Sequence, residues 1–355
     1  MAINFLRPAA AQLEVSLFGP GTGECIVAHL GNNEWMVVDS CTNANKEPVA
    51  VEYLTRLGVS MDSVKLIVLT HFHDDHIGGA KLLIETCTEA QVFISSALTY
   101  DESISFCVAH AQDDVLVDVD KPSTRELVNI LKSAGMGDRH LKLAVANKVL
   151  YRNGSMLVHA LSPSDRAVSQ SRLLLGESFL ETGRGFRKLA GKLHPNLCAV
   201  ALHICNGVDT VLLGSDLEVC KGTALGWEAV LLDTAKPVTT AKVFKVPHHG
   251  SQNGHSDDVV AKMLAVNPIS ILTTFNSSSL PRETDIKRIQ SYSEALYHTT
   301  PPKVRAPSRN RDAEESLKQV AKRRRIISKT MGHIQIRMLN GVCDIELNEY
   351  ASIAA

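Results

Sequence analysis

The apolar run Leu66-Ile67-Val68-Leu69-Thr70 breaks off into His71-Phe72-His73-Asp74-Asp75-His76-Ile77-Gly78-Gly79. A short run of this kind reads as a buried strand, so the fold must place the strand's end where three histidines and two aspartates can converge. In an extended exit from a strand, residues 71 and 73 project to the same side. Once the chain turns toward a helix beginning near Ala80, Asp75 and His76 reach a neighbouring position, and Gly78-Gly79 permits the tight turn. Imidazole nitrogen suits zinc, iron and manganese, and carboxylate oxygen adds charge and serves a second ion. One loop can therefore feed two divalent ions, and with no thiolate in the motif zinc and manganese are the expected metals.

The rest of the chain alternates between strand-like and helical segments. Strands are expected at Leu13 to Phe18, Cys25 to Leu30, Trp35 to Val38 and Gln91 to Ser95, with a helix at Ala80 to Thr88. A helix over Leu127 to Ala134 ends at Gly135, and further strands fall at Met156 to Leu161, Cys198 to Cys205, Thr210 to Leu213, Lys242 to Val246 and Ser270 to Phe275. Two sets of strands with intervening helices predict an α/β fold of two sheets covered by helices on their outer faces. The 355 residues are expected to form one domain, with insertions at 165–192 and 299–329. Ser169 to Lys192 has no clean period, and Thr299 to Lys329 carries a helix at Ala313 to Arg325 that ends in a run of cations. That run is either a solvated helix end or a phosphate-binding patch.

Composition narrows the classes. A formal net charge of −1 gives the whole molecule no attraction to nucleic acid or anionic membrane, so any such binding must come from local patches. The eight cysteines form no CxxC pair, several sit in apolar runs, and no disulfide framework is expected. Met1 to Ala11 is no apolar signal core, and no apolar run is long enough to span a bilayer. A cytoplasmic protein that does not enter the membrane is expected.

The cluster resembles the HxHxDH signature of the metallo-β-lactamase superfamily, and other segments follow in that family's order. Val37-Val38-Asp39-Ser40 resembles its early Asp, Gly214-Ser215-Asp216 its metal-bridging Asp, and Val246-Pro247-His248-His249-Gly250-Ser251 its late His motif. The ComEC-type branch is the most similar, through Gly21-Thr22-Gly23-Glu24, the PHHGS segment, and Thr330 to Ile336. This resemblance implies an αββα sandwich with the metals at one edge, and phosphodiester hydrolysis with DNA or RNA as substrate.

The same resemblance implies the site. His71 and His73 would hold a first ion with Asp216 and a third-motif residue; Asp75, His76, Asp216 and His248 would hold a second. Asp75 would also orient the nucleophile, and Asp39 would fix a ligand histidine. His249 either replaces His248 as ligand or protonates the leaving group. The third-motif His has no clear counterpart; Asn196, His194 and His159 are the candidates, whereas His203 lies in an apolar run and reads as a core residue. Leu280-Pro281 stands where that branch has His-Pro. Arg184, Arg187, Lys188 and the segment Arg305 to Arg325 are candidate phosphate contacts. A small phosphodiester or other ester as substrate, or a metal-stabilised subunit without activity, are the competing readings, and a protein partner or self-association is compatible with all of them.

Overall fold

The computed structural model describes residues 6–19, 23–98, 122–134, 141–180, 194–302 and 331–354. The first half runs β1 (Leu13–Gly19), β2 (Cys25–His29), β3 (Trp35–Val38), α1 (Val49–Arg56), β4 (Val64–Leu69), α2 (Ala80–Thr86), β5 (Gln91–Ser95), α3 (Pro122–Ala134) and β6 (Lys142–Ala144). Then come β7 (Val149–Asn153), β8 (Met156–Ala160), α4 (Asp165–Leu180), β9 (Leu202–Cys205), β10 (Thr210–Leu213) and β11 (Val219–Cys220). The last stretch holds α5 (Gly226–Leu232), β12 (Ala241–Lys245), α6 (Asp257–Met263), β13 (Leu264–Leu272), α7 (Glu283–Gln290), β14 (Ala295–His298), β15 (Gly332–Leu339), β16 (Val342–Glu349) and β17 (Ser352–Ile353).

These strands make two eight-stranded sheets, ordered β16-β15-β1-β2-β3-β4-β5-β6 and β17-β14-β13-β12-β10-β9-β8-β7. Each sheet has an antiparallel part and a parallel part. In the first, β1 pairs antiparallel with β2 and β15, while β3, β4 and β5 run parallel. In the second, β8, β9 and β10 are antiparallel, and β10, β12, β13 and β14 are parallel. The parallel strands carry the functional loops.

Apolar residues on both faces of the central strands explain the layering. On β4, Leu66 and Val68 enter the core between the sheets, which also takes Val211, Leu213 and Val243 from the second sheet. The alternate residues Ile67 and Leu69 face α1, α2 and α3 through Val49, Leu54, Leu83 and Leu131. Phe244 and Leu212 face the other way, onto Trp227 of α5, Val259 of α6 and Ile289 of α7. Each fully buried aliphatic or aromatic side chain contributes about 1.5–3 kcal/mol. The result is the αββα sandwich expected from the sequence. No described helix is long and apolar enough to cross a membrane, and Cys25, Cys41, Cys205, Cys220 and Cys343 are free thiols.

Two stretches differ from expectation. Residues 165–180, read as part of an aperiodic insertion, form α4, whose Ala167 and Val168 pack on Ala97, Cys198 and Leu225. Ser169, Ser171, Gly176 and Ser178 weaken the helical pattern there, and tertiary packing of the first turn supplies what propensity does not. Thr299 and Thr300, placed at the start of the second insertion, are buried, and Thr299 N–H donates to Leu272 O at 3.1 Å, continuing the sheet. Residues 181–192 and 303–329, including Arg184, Phe186, Arg187, Lys188 and Arg305 to Arg325, lie outside the described residues, as do Gly21, Thr22 and Thr330.

Candidate functional site

Five loops converge at the carboxyl ends of parallel or central strands, the usual location for ligands on open α/β sheets. They follow β3 (Asp39), β4 (Thr70 to His76), β10 (Ser215, Asp216), β12 (Pro247 to Gly250) and β13 (Thr273). The sheets are tied to each other here: Val200 N–H donates to Thr70 O at 3.1 Å, and Ser215 Oγ donates to Thr70 Oγ1 at 2.7 Å. After His76 the chain turns through Gly79 (φ 76°), where a Cβ would stand 2.8 Å from Thr42 Cγ2; only glycine fits.

Two groups of donor atoms form in this space. One comprises Asp75, His76, Asp216 and His249; the other comprises His71, His73 and Asp216. A tetrahedral ion with donors at about 2.0–2.1 Å holds those donors about 3.3 Å apart. In the first group His76 Nε2 lies 3.5 Å from Asp75 Oδ2 and 3.6 Å from Asp216 Oδ2, and His249 Nε2 lies 3.2 and 3.6 Å from the same two oxygens. In the second, His71 Nε2 is 3.1 Å from His73 Nδ1 and 3.9 Å from Asp216 Oδ2. Both groups have the spacing that a single shared ion would give, and Asp216 Oδ2 belongs to each.

The outer atoms of the imidazoles fix which nitrogen faces inward. His76 Nδ1–H donates to Asp39 Oδ2 at 2.7 Å, leaving Nε2 buried with no hydrogen-bond partner. Asp39 is held in turn by Thr70, whose N–H (2.7 Å) and Oγ1 (2.8 Å) donate to its two oxygens. His249 Nδ1–H donates to Thr273 Oγ1 at 3.0 Å. Thr273 Oγ1 passes its own proton to Glu24 Oε2, and Glu24 Oε1 pairs with Lys245 Nζ at 2.7 Å. An orphaned, buried imidazole nitrogen aimed at carboxylates is costly unless a cation completes it, so the residues present fit divalent ions.

Electrostatics point the same way. Burial pushes His71 well below the ordinary imidazole range, with the nearby His76 charge adding to the effect, and burial likewise lowers His73. Both rings are thus held neutral, the form in which imidazole can bind a metal. For His76 and His249 burial acts downward, yet the carboxylates of Asp75 and Asp216 outweigh it and raise both. Asp75 and Asp216 resist the upward pull of burial because His76 and His249 hold them low. The cluster is thus a buried concentration of carboxylates and imidazoles that could hold divalent ions.

Not every expected residue joins it. His71, His73, Asp75, His76 and Asp216 come together, and Asp39 stands directly behind His76. His248, expected beside Asp216, turns away. His248 and His249 both adopt left-handed backbone conformations (φ 47° and 53°), so their rings diverge, with centroids 6.3 Å apart. His249 takes the position beside Asp75 and Asp216, with Nε2 3.2 and 3.6 Å from their Oδ2 atoms. His248 Nδ1 lies instead 3.1 Å from Glu218 Oε1, without hydrogen-bond alignment.

Asn196, the third-motif candidate, donates from Nδ2 to Glu218 Oε1 at 3.0 Å and lies 3.4 Å from His248 Nε2. His194 is exposed and 3.8 Å from Glu218 Oε2. His159 and His203 are register partners on β8 and β9; His203 is buried and Nε2 contacts Thr239 O at 3.0 Å, as a core histidine would.

Sequence reasoning missed Glu218, Lys245 and the role of Glu24. Glu218 follows Asp216 by two residues, a spacing that marks a common side of an extended chain. Lys245 interrupts an apolar strand as its only cation at the buried end, which is itself a signal. A third grouping, Glu24, Asp39 and His76, is a supporting layer, because Asp39 is occupied by Thr70 and His76, and Glu24 by Lys245 and Thr273. A cavity of about 340 Å³ opens beside the cluster, lined on one part by His73, Asp75, Asp216 and His249 and on another by His194, Asn196, Glu218 and His248.

Residues 18–100 match the family model of the Metallo-beta-lactamase superfamily. No curated protein matches the sequence. Among solved structures, the metallo-beta-lactamase fold protein YhfI from Bacillus subtilis is similar at 11% identity and a TM-score of 0.40, covering 80% of this chain and 95% of that one. The MIM-2 metallo-beta-lactamase is 16% identical with a TM-score of 0.30, over 57% of this chain and 58% of that one. MEM-A1, a subclass B3 metallo-beta-lactamase from a soil metagenome library, is 12% identical with a TM-score of 0.31, over 82% and 78%.

Proposed function

We propose that this chain, which has the metallo-β-lactamase fold and matches that superfamily over residues 18–100, is a metal-dependent hydrolase that cleaves phosphodiesters, with DNA or RNA as the leading substrate. The observation that carries the hydrolase reading is Asp216 Oδ2, common to two donor groups of imidazole and carboxylate. Zinc or manganese suits these donors. Two divalent ions there would supply Lewis acidity toward a water and toward the oxygens of the scissile group.

The chain's own residues do the positioning. His71, His73 and Asp216 would hold one ion; Asp75, His76, Asp216 and His249 would hold the other. Asp39 and the Thr273–Glu24–Lys245 chain keep Nδ1 of His76 and His249 protonated and Nε2 directed inward. Asp75, whose Oδ2 faces His76 and His249, keeps a second oxygen with which to accept a hydrogen bond from the attacking water and orient it. Burial of His71, His76, Asp216 and His249 strengthens each of these interactions.

The phosphodiester part of the reading is supported by the resemblance to the ComEC-type branch. A small phosphodiester is the second reading, favoured by one feature: the described residues lining the cavity include no Lys or Arg to track a polyanion. The test is metal-dependent hydrolysis of linear single- and double-stranded DNA, RNA and bis(p-nitrophenyl) phosphate by the wild type and by Asp75→Asn. Cleavage of nucleic acid that the substitution abolishes supports the first reading. Cleavage of the small ester alone supports the second. Inactivity on all of them with metal fully bound would refute both and leave a metal-stabilised subunit without this activity.

A further inference from the structure

Between β12 and α6 the chain passes through three consecutive left-handed residues, His248 (φ 47°), His249 (φ 53°) and Gly250 (φ 81°). The conformation suits Gly250, where a Cβ would stand 3.2 Å from Ile289 Cδ1 and 3.3 Å from Pro281 Cβ. It works against the two histidines, whose Cβ atoms crowd the backbone in that region. Yet this turn decides the site. It sends the two rings apart and leaves His249 Nε2 3.2 Å from Asp75 Oδ2 and 3.6 Å from Asp216 Oδ2.

The bonds made by the loop's own amides account for only part of its shape. His248 N–H donates to Ser215 O at 3.0 Å, Gly250 N–H to Pro247 O at 3.0 Å, and Ser251 N–H to His248 O at 2.8 Å. The carbonyl that ends the turn is held from another element. Arg288, in the last turn of α7, donates from Nη2 to Gly250 O at 2.6 Å. Its Nη1 donates to Asp285 Oδ1 at 2.7 Å and also to Gln252 Oε1.

One planar guanidinium, with donors in a fixed fork, thus grips the loop at residues 250 and 252 while bound to its own helix. The anchor is firm, because Asp285 is buried and its Oδ2 accepts from Arg282 N–H at 3.0 Å. An exposed arginine paired along a helix would contribute little. Here the carboxylate is buried, and the remaining donors leave the helix for the loop that carries His249.

We propose that Arg288 is a positioning residue for the ion held by Asp75, His76, Asp216 and His249. By fixing Gly250 O it maintains the left-handed turn that aims His249 Nε2 at the two carboxylates. With that carbonyl released, the histidine backbone relaxes toward right-handed conformations and Nε2 leaves the donor group. The inference rests on the hydrolase reading only in taking His249 as a ligand.

The test is zinc affinity by chelator competition, with cobalt-substituted protein as a spectroscopic readout of the ligand set. Arg288→Met keeps much of the side chain's length and removes every donor. It should weaken one of the two ions about tenfold or more, leave the other within about twofold, and change the visible cobalt spectrum. Arg288→Lys, which keeps a cation and a donor for Gly250 O, should recover part of the affinity. Methylguanidinium added to Arg288→Ala should recover it as well, which a general loosening of the fold would not allow. Should Arg288→Met fail to fold, Arg288→Lys carries the test, with a severalfold loss at the same single ion. Unchanged affinity at both ions, equal loss at both, or an unaltered cobalt spectrum would overturn the role of Arg288 and leave the two-ion site standing. A wild-type protein that takes up no zinc would remove the hydrolase reading and this inference together.

Discussion

Lys245→Met is the most informative perturbation of the scaffold behind the site. Lys245 and Glu24 are 0% and 1% exposed, and their charged atoms lie 2.7 Å apart. Lys245 also donates to Ser215 O at 2.9 Å and stands 3.9 Å from Asp216 Oδ1. It sits on β12 of one sheet, and Glu24 sits just before β2 of the other, so the pair joins the two layers beneath the donor cluster. Removing the cation leaves the Glu24 carboxylate buried with Thr273 Oγ1 as its remaining side-chain donor. Breaking one partner of a buried ion pair costs about 3–5 kcal/mol, whereas replacing both partners is often close to neutral.

Urea unfolding in the presence of a chelator should therefore show Lys245→Met and Glu24→Gln each losing about 3–5 kcal/mol, a fall in midpoint of about 1 M or more. The double variant should lose less than the sum, with a coupling of at least about 2 kcal/mol. Divalent metal should restore part of the loss in Lys245→Met, because bound ions would supply positive charge to Asp216. A loss below about 1 kcal/mol for Lys245→Met, or strictly additive losses, would refute the reasoning.

Three further outcomes follow from the geometry. Asp39→Asn removes the charge behind His76 Nδ1 while keeping its shape, and should weaken zinc binding about 10–100-fold in a chelator competition. His249→Ala should cost the protein a bound ion whereas His248→Ala should keep its full metal content, as read by elemental analysis; the reverse pattern would contradict the observed backbone turn. His333, buried against Phe18 and lowered to about 3 by burial and the charge of Arg337, is neutral when folded. A group depressed in this way favours the fold above its unfolded value near 6.5 and loses that contribution as pH falls, about 2 kcal/mol by pH 5. His333→Gln should flatten the stability profile between pH 7 and pH 5 by that order, and an unchanged slope would remove His333 from the account.

Periodicity and residue type made much of this legible. The strands around β1 to β5 and β8 to β12 are short and apolar, and HxHxDH follows its strand directly, so both pattern and chemistry were local. What stayed hidden depends on long-range contacts. The choice between His248 and His249 turns on two consecutive left-handed residues, which no residue-type preference announces because neither is glycine. The Glu24–Lys245 pair spans more than two hundred positions of sequence, and each residue alone reads as an unexplained charge near an apolar run. The helix α4 contains serines and a glycine that obscure its period, while its buried contacts lie in its first turn. The short strands β14 and β17 gain their pairing from neighbours far away in the sequence.

Anomalous diffraction from crystals soaked in zinc addresses the central claim most directly. The account predicts two peaks about 3.5–4 Å apart, one among His71, His73 and Asp216 and the other among Asp75, His76, Asp216 and His249. A single peak that leaves Asp216 unshared, or zinc bound only at His248 and Glu218, would contradict it.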